Sequence, residues 1–460
     1  MVRTGILIVL AVVLAGVTWI TRPKTPVLAQ FSDQGQAFYP AFTDPLAATA
    51  LEVIDFDPDT ASTQIFKVEQ RNGVWSIPSH YDYPADAEDQ LARTAASLVD
   101  LHKDIFQSDR VQDHESFGVI DPLDASSASL DGRGAKITLF DSAGGVLASF
   151  IIGHPVEGKD GFRYVRVPDS KRTYASRIDI RLTTRFADWI DTDVFEVGSM
   201  DMTAIDIRDY SINESTGQID NAGAISLRRD ENDAWVLADP SQMPANMMID
   251  QVRINQMSSA LARMTITGVR PKPAGLTASL EQSSEVPMDP MTGLSLQSMG
   301  YFFSPDGSLL SNEGEITVGT SNGVRYLIRF GEIATGEGDA ITRGLEQGTA
   351  APTDDPSAGE NRYLFVTASF DDALVPDRPE EIPIPEDMKP EIKDAIRARN
   401  AEALEQWKAD IRAGRETAER LNRRFAPWYY MISSKDDQAL RLGQNDVFVP
   451  AEATAPSTDG

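Results

Sequence analysis

The chain contains no cysteine and only four histidines, His80, His102, His114 and His154. The first absence excludes disulfides, thiolate nucleophiles, thiolate-bound metals and a lipidated N-terminal cysteine. The second leaves few bases for triad chemistry, and no two histidines stand i, i+4 as metal ligands would on a helix. Positive charge is also scarce: 42 Lys and Arg against 70 Asp and Glu give a formal net charge of −28. Such a chain repels nucleic acid and anionic headgroups, so neither is expected as a ligand. No Gly-x-Ser-x-Gly elbow occurs. No catalytic, cofactor or metal residue is assigned from the sequence.

What is present fits a folded protein of two or three domains: 460 residues, 41% hydrophobic and 24% charged. Thr4 to Thr21 is an uncharged run of 18 residues between Arg3 and the pair Arg22 and Lys24. That length is at the short end of a bilayer span, which takes roughly 17–25 residues. The competing reading is a cleaved signal peptide, with Val27-Leu28-Ala29 before Gln30 as the cut. Arg22 and Lys24, between run and cut, favour an uncleaved anchor. The expectation is therefore a single-pass protein of the cytoplasmic membrane, held through residues 4–21, with its bulk extracytoplasmic.

A pattern then occurs twice. Ile65, Phe66 and Val68 suit a strand, Asn72-Gly73 a hairpin turn, and Val74-Trp75-Ser76-Ile77 its return. Pro84-Ala85-Asp86 follows, and Leu91, Ala95, Leu98, Leu101 and Ile105 trace one helical face. Adding 160 to Trp75 and Pro84 gives Trp235 and Pro244, with Ile254, Met257, Leu261 and Met264 as the second helical face. Strand-like runs follow the first helix at Lys136–Phe140, Leu147–Ile152 and Arg163–Val167, and Glu315–Val318 resembles Lys136–Leu139, Ile328–Gly331 resembles Phe150–Gly153 and Arg362–Val366 resembles Arg163–Val167. A helical piece is expected from Ile178 to Ile190, and its Arg185-Phe186-Ala187-Asp188-Trp189 is echoed by Arg424-Phe425-Ala426-Pro427-Trp428. The fold expected is α+β: two repeated antiparallel sheet-plus-helix units, one N-terminal transmembrane helix and one long C-terminal helix. The divisions are an anchor at 1–24, a stalk at 25–60, repeat units at 61–200 and 201–376, a long helix and closing segment at 377–449, and a disordered tail at 450–460.

Three motifs invite chemistry and each has a plainer reading. Gly153 to Lys159 has the glycine and lysine spacing of a phosphate loop, but Asp160 replaces the Ser or Thr, and a strand follows instead of a helix. A hairpin loop is expected. Asp55-x-Asp57-x-Asp59 opens like a calcium loop, but Thr60 and Phe66 stand where Gly and Glu are needed. Trp75 and Trp235 could stack on a sugar, yet their alternation with Ile77 and Leu237 points to the core.

The last stretch is Glu391–Phe425. Leu404, Trp407, Ile411, Gly414, Ala418, Leu421 and Phe425 fall at steps of 3 and 4, a heptad seam on one helix. The seam either lies on its own domain or docks a partner, with Trp407, Ile411 and Gly414 as the contact residues.

Together, the anchor run, Trp-x-Ile, Pro-Ala-Asp, Ile151-Ile152-Gly153, Arg163-Tyr164-Val165 and Ala187-Asp188-Trp189 resemble the bacterial family called domain of unknown function 4340, in two copies over about 62–430. The resemblance implies a membrane-anchored accessory of an envelope transport or surface-assembly complex, non-enzymatic, with ABC-type transporter or auxiliary envelope subunits as partners. It carries over no catalytic residue or cofactor. The alternatives are an extracytoplasmic glycan- or peptide-binding module, marked by an aromatic-lined cleft, and a hydrolase with a dispersed Ser/His/Asp site, marked by a His bonded to a hydroxyl in a cleft.

Overall fold

Largely apolar strands build two large antiparallel sheets and two two-stranded ones, and the helices supply apolar stripes. A computed structural model describes residues 33–59, 61–180, 183–213, 216, 218–281, 290–304, 308–334 and 361–451. The chain forms two compact units. The first comprises Met1–Ile65 and Asp89–Leu182, the second Phe66–Glu88 and Thr183–Gly460.

The strands are β1 (Ala50–Asp57), β2 (Ser62–Arg71), β3 (Val74–Ile77), β4 (Tyr83–Pro84), β5 (Ile105–Ser108), β6 (Ala135–Phe140), β7 (Val146–Pro155), β8 (Phe162–Arg166) and β9 (Thr173–Arg177). In the first unit they run β2-β1-β6-β7-β8-β9-β5, with β2 continuing into the second unit. Leu51 faces Leu139 and Val53 faces Ile137 across β1 and β6, and all four are buried. The β6–β7 turn needs a left-handed residue, which Gly144 supplies at φ +81°. The Asp141 carboxylate caps that turn by accepting from the N–H groups of Ala143 and Gly145. The helix Glu88–Val99 buries Leu91, Ala95 and Leu98. Its expected stripe runs on to Leu101 and Ile105, but the helix stops at Val99 and Ile105 begins β5.

The second unit holds the order β4-β3-β2 and a further sheet. Its other strands are β10 (Met202–Asn213), β11 (Gln218–Arg229), β12 (Trp235–Leu237), β13 (Met247–Ile249), β14 (Gly268–Pro271), β15 (Tyr301–Phe303), β16 (Leu309–Ser311), β17 (Glu315–Thr320), β18 (Val324–Ala334), β19 (Asn361–Phe370), β20 (Trp428–Ser433) and β21 (Phe448–Pro450). The sheet runs β12-β11-β10-β17-β18-β19-β20-β14. Its core carries Trp235, Tyr301, Tyr326, Phe365, Tyr429 and Tyr430, all fully buried. Trp235 donates its indole N–H to Asn255 Oδ1 at 3.1 Å, and Arg229 lies 4.5 Å from the ring centre. Trp75 is only partly buried, because it sits on the short strand β3, whose outer neighbour β4 has two residues.

The long helix runs Pro390–Phe425, with Pro390 in the first turn where its missing N–H costs nothing. Its seam closes inward toward the C-terminal end, where Gly414, Ala418, Leu421 and Phe425 are buried. Upstream, an extended segment is strapped along it. Asn400 accepts from the Ile382 N–H and donates to the Ile382 carbonyl, both at 3.0 Å. Among the described residues the helical piece expected over Ile178–Ile190 is a single 3₁₀ turn, Phe186–Trp189, where the Thr183 hydroxyl donates to the Asp188 carboxylate at 2.6 Å and the Thr183 carbonyl accepts from the Trp189 indole N–H at 3.2 Å.

The membrane reading is not carried by the structure. Among the described residues no helix is long and apolar enough to cross a membrane. The longest helix, Pro390–Phe425, carries nine basic and seven acidic side chains. Residues 4–21, on which the anchor was placed, lie outside the described residues. The transmembrane element of the fold class, the membrane as a partner through residues 4–21 and the single-pass location at the cytoplasmic membrane with an extracytoplasmic bulk are therefore corrected to this: no described helix spans a membrane. What stands is an α+β fold with two large antiparallel sheets.

Candidate functional site

Two motifs from opposite ends of the second unit's sequence form one cleft. The first is β4 and its exit, Tyr83-Pro84-Ala85-Asp86. The second is the end of the long helix and the start of β20, Arg423-Arg424 and Pro427-Trp428. With Asp191 they line a cavity of about 370 Å³.

Local chemistry fixes both walls. Tyr83 faces Ile77 and Pro84 faces Ser76 across β3 and β4. Pro84 has no N–H. The N–H of Ala85 donates to the Trp75 carbonyl at 2.9 Å and that of Asp86 to the Trp189 carbonyl at 2.8 Å. This wall therefore offers side chains to a ligand, with its amide donors already spent. On the other wall Pro427 cannot extend the helical ladder, so the chain leaves the helix and enters β20.

The aromatic floor is ordered. Trp428 meets the buried Tyr83 edge-on with ring centres 5.0 Å apart, and Phe186 meets Tyr83 at 5.5 Å. Burial pushes the Tyr83 hydroxyl above its ordinary pKa, so it stays protonated among Arg424 and Tyr430. Trp428 keeps part of its surface open. Arg424 is committed: its Nη2 reaches the Asp191 carboxylate at 3.2 Å and the Asp191 carbonyl at 3.1 Å. Arg423 is far freer, with 62% of its side chain exposed and a single ion-pair contact, to Glu419 at 3.9 Å. Among the described residues the exposed Asp86 carboxylate has no hydrogen-bond or ion-pair partner. The cleft thus combines a partly exposed indole, an unpartnered acceptor and a largely exposed donor.

The contact residues expected on the long helix lie elsewhere. Trp407 donates its indole N–H to the Pro376 carbonyl at 2.9 Å. Ile411 is partly buried, and Gly414 is buried against the Asn322 carbonyl and the Phe370 ring. None of the three lines the cleft.

The histidines fall into different settings. His80 shares a hydrogen bond with the Ser79 hydroxyl at 2.9 Å, the mark set for a hydrolase. However, it is fully buried and stacked on Phe186 at 4.3 Å, so no substrate reaches it. His114 is buried with its ring nitrogen 2.9 Å from the Lys171 carbonyl, and desolvation lowers its pKa. His102 and His154 are exposed. Gly153–Lys159 ends β7 and turns into β8, a hairpin without the helix that phosphate binding needs. Asp57 turns its carboxylate to the Asp59 N–H at 2.9 Å, inside its own turn.

Sequence reasoning named Pro84-Ala85-Asp86 and Ala426-Pro427-Trp428 as landmarks of a repeat and missed that they meet. Their one shared signal was a proline beside an aromatic residue at the edge of a regular element.

No curated protein and no solved structure matches the chain. No relative therefore links it to an ABC-type transporter or its auxiliary subunits, and the envelope-accessory and periplasmic readings are withdrawn with the anchor. The two copies expected over about 62–430 also reduce to one: the family model described as Domain of unknown function (DUF4340) matches the chain once, at residues 75–279.

Proposed function

We propose that the protein is a carbohydrate-binding module whose ligand enters the cleft between Tyr83–Asp86 and Arg423–Trp428. The observation that carries the reading is the partly exposed indole of Trp428 beside an unpartnered carboxylate, Asp86, and the exposed guanidinium of Arg423. Sugars present apolar C–H faces to an indole, and their hydroxyls both donate and accept, which suits one acid and one base at the rim. A peptide adding as a strand needs free backbone donors at an edge. Here Pro84 lacks one, and those of Ala85 and Asp86 are spent.

The test is a glycan array probed with the full chain, followed by titration of its best neutral oligosaccharide against Trp428→Ala. Retention by the wild type and loss by the variant, with unchanged circular dichroism, supports the reading. Absence of wild-type binding across the array rejects it.

A further inference from the structure

A second cavity, of about 410 Å³, lies along the same helix in the same unit. It is lined in part by Ser369, Phe370, Arg415, Glu419, Asn422 and Arg423. Arg423 therefore belongs to the walls of both cavities. We propose that the ligand is a neutral oligosaccharide that runs from the Trp428 cleft across Arg423 into this second cavity. The proposal rests on the carbohydrate reading and adds the ligand's length and charge.

The two cavities have different chemistry. In the second, the Phe370 ring is covered on one face by the Arg415 guanidinium at 4.6 Å, and Arg415 is pinned by Asp372 at 2.7 Å. The Phe370 ring also packs close to Gly323 and Gly414. It is thus no stacking platform, and this cavity acts through hydrogen bonds. Asn422 spends its amide nitrogen on the Leu280 carbonyl at 2.7 Å, which leaves its oxygen to accept. Among the described residues the exposed Ser369 hydroxyl has no partner. A stacking cleft followed by a polar one fits one sugar ring held by its face and the next rings held by their hydroxyls.

Length and charge narrow the class. Arg415 and Arg424 are nine residues apart on one helix, or roughly 14 Å at about 1.5 Å per residue, longer than a single ring. The charged side chains around the first cavity are Asp86, Asp191, Arg423 and Arg424, and around the second Glu281, Glu419, Arg415 and Arg423. Each set balances, in a chain of net charge −28. A polyanionic glycan gains nothing from such walls and is repelled at long range. A neutral one is not penalised.

Calorimetric titration of the full chain with neutral gluco-oligosaccharides, from disaccharide to pentasaccharide, tests the proposal. It is run on the wild type and on a double variant, Ser369→Ala with Glu281→Ala, both at exposed positions that line only the second cavity. The wild type should gain about tenfold in affinity with length, and the double variant should bind the disaccharide normally but lose most of that gain. Affinity independent of length, or a gain unchanged in the double variant, would overturn the extension while leaving the Trp428 cleft intact. Failure of every oligosaccharide to bind the wild type would reject both the carbohydrate reading and the extension.

Discussion

The side-chain amide of Gln251 pairs with both backbone polar groups of Trp235. Its Oε1 accepts from the Trp235 N–H at 2.9 Å, and its Nε2 donates to the Trp235 carbonyl at 2.6 Å. Trp235 lies on β12, the edge of the second sheet, where an open row of donors and acceptors would invite another strand. One glutamine thus stands in for a missing neighbour. Gln251→Ala is expected to cost about 1–3 kcal/mol in urea unfolding, the penalty for unpaired backbone groups. Gln251→Glu should do no better, since it sets a carboxylate against the Trp235 carbonyl.

The two repeat tryptophans should separate in stability. Trp235 is 1% exposed and bonded to Asn255. Trp235→Ala is expected to cost about 3–5 kcal/mol. Trp75→Ala, at a partly open site, should cost about 1–2 kcal/mol. Equal losses in thermal or denaturant melts would contradict the burial difference.

Gly414→Ala sets two effects against each other. Helix propensity favours alanine by about 1 kcal/mol. A Cβ there would collide with the Asn322 carbonyl, which belongs to a tight turn and cannot withdraw as a flexible side chain could. The collision should win, with a net loss of about 1–3 kcal/mol and a lower melting temperature.

Lys272 is buried with its Nζ 3.0 Å from the Phe425 carbonyl and 4.0 Å from the Phe365 ring centre. Burial holds its pKa well below the usual lysine range, and Arg329 acts in the same direction. The unfolded chain then binds more protons than the folded one between the lowered value and about 10.4, so this lysine's contribution to stability rises with pH across that window. The difference in stability between wild type and Lys272→Met should therefore shift toward the wild type as pH rises. A flat difference would show that the lysine keeps an ordinary pKa.

At the cleft rim, Arg423→Ala and Asp86→Asn should each weaken carbohydrate binding about fivefold to tenfold, roughly 1–1.4 kcal/mol. Both side chains are exposed, so the melting temperature should move little. A matching fall in stability would mean that the residues act on the fold instead of the ligand.

Local signals carried well from sequence to structure. The steps of 3 and 4 from Leu404 to Phe425 correspond to one face of the long helix, and Pro390 marks its start. Asn72 and Gly73 both take positive φ in the expected hairpin turn. Signals that depend on partners did not carry. Nothing near Trp75 reports that β4 is only two residues long. Nothing in Arg185–Trp189 reports that the segment forms only a single turn. The cleft was invisible because Tyr83 and Trp428 are hundreds of residues apart, and a free carboxylate such as Asp86 looks like any other among 70 acids.

The order of the strands also sets a timetable for the growing polypeptide. Phe66–Glu88 belongs with chain that resumes at Thr183, and β20, which carries Trp428, sits between β19 and β14 in the sheet. Translation supplies about 5–20 residues per second, so β14 waits many seconds for the neighbour that completes its ladder. Pairings this distant in sequence form slowly even in a finished chain. Ligand binding should therefore be among the later properties a nascent molecule acquires, and premature release before Trp428 should yield a product with a large part of its structure but no cleft.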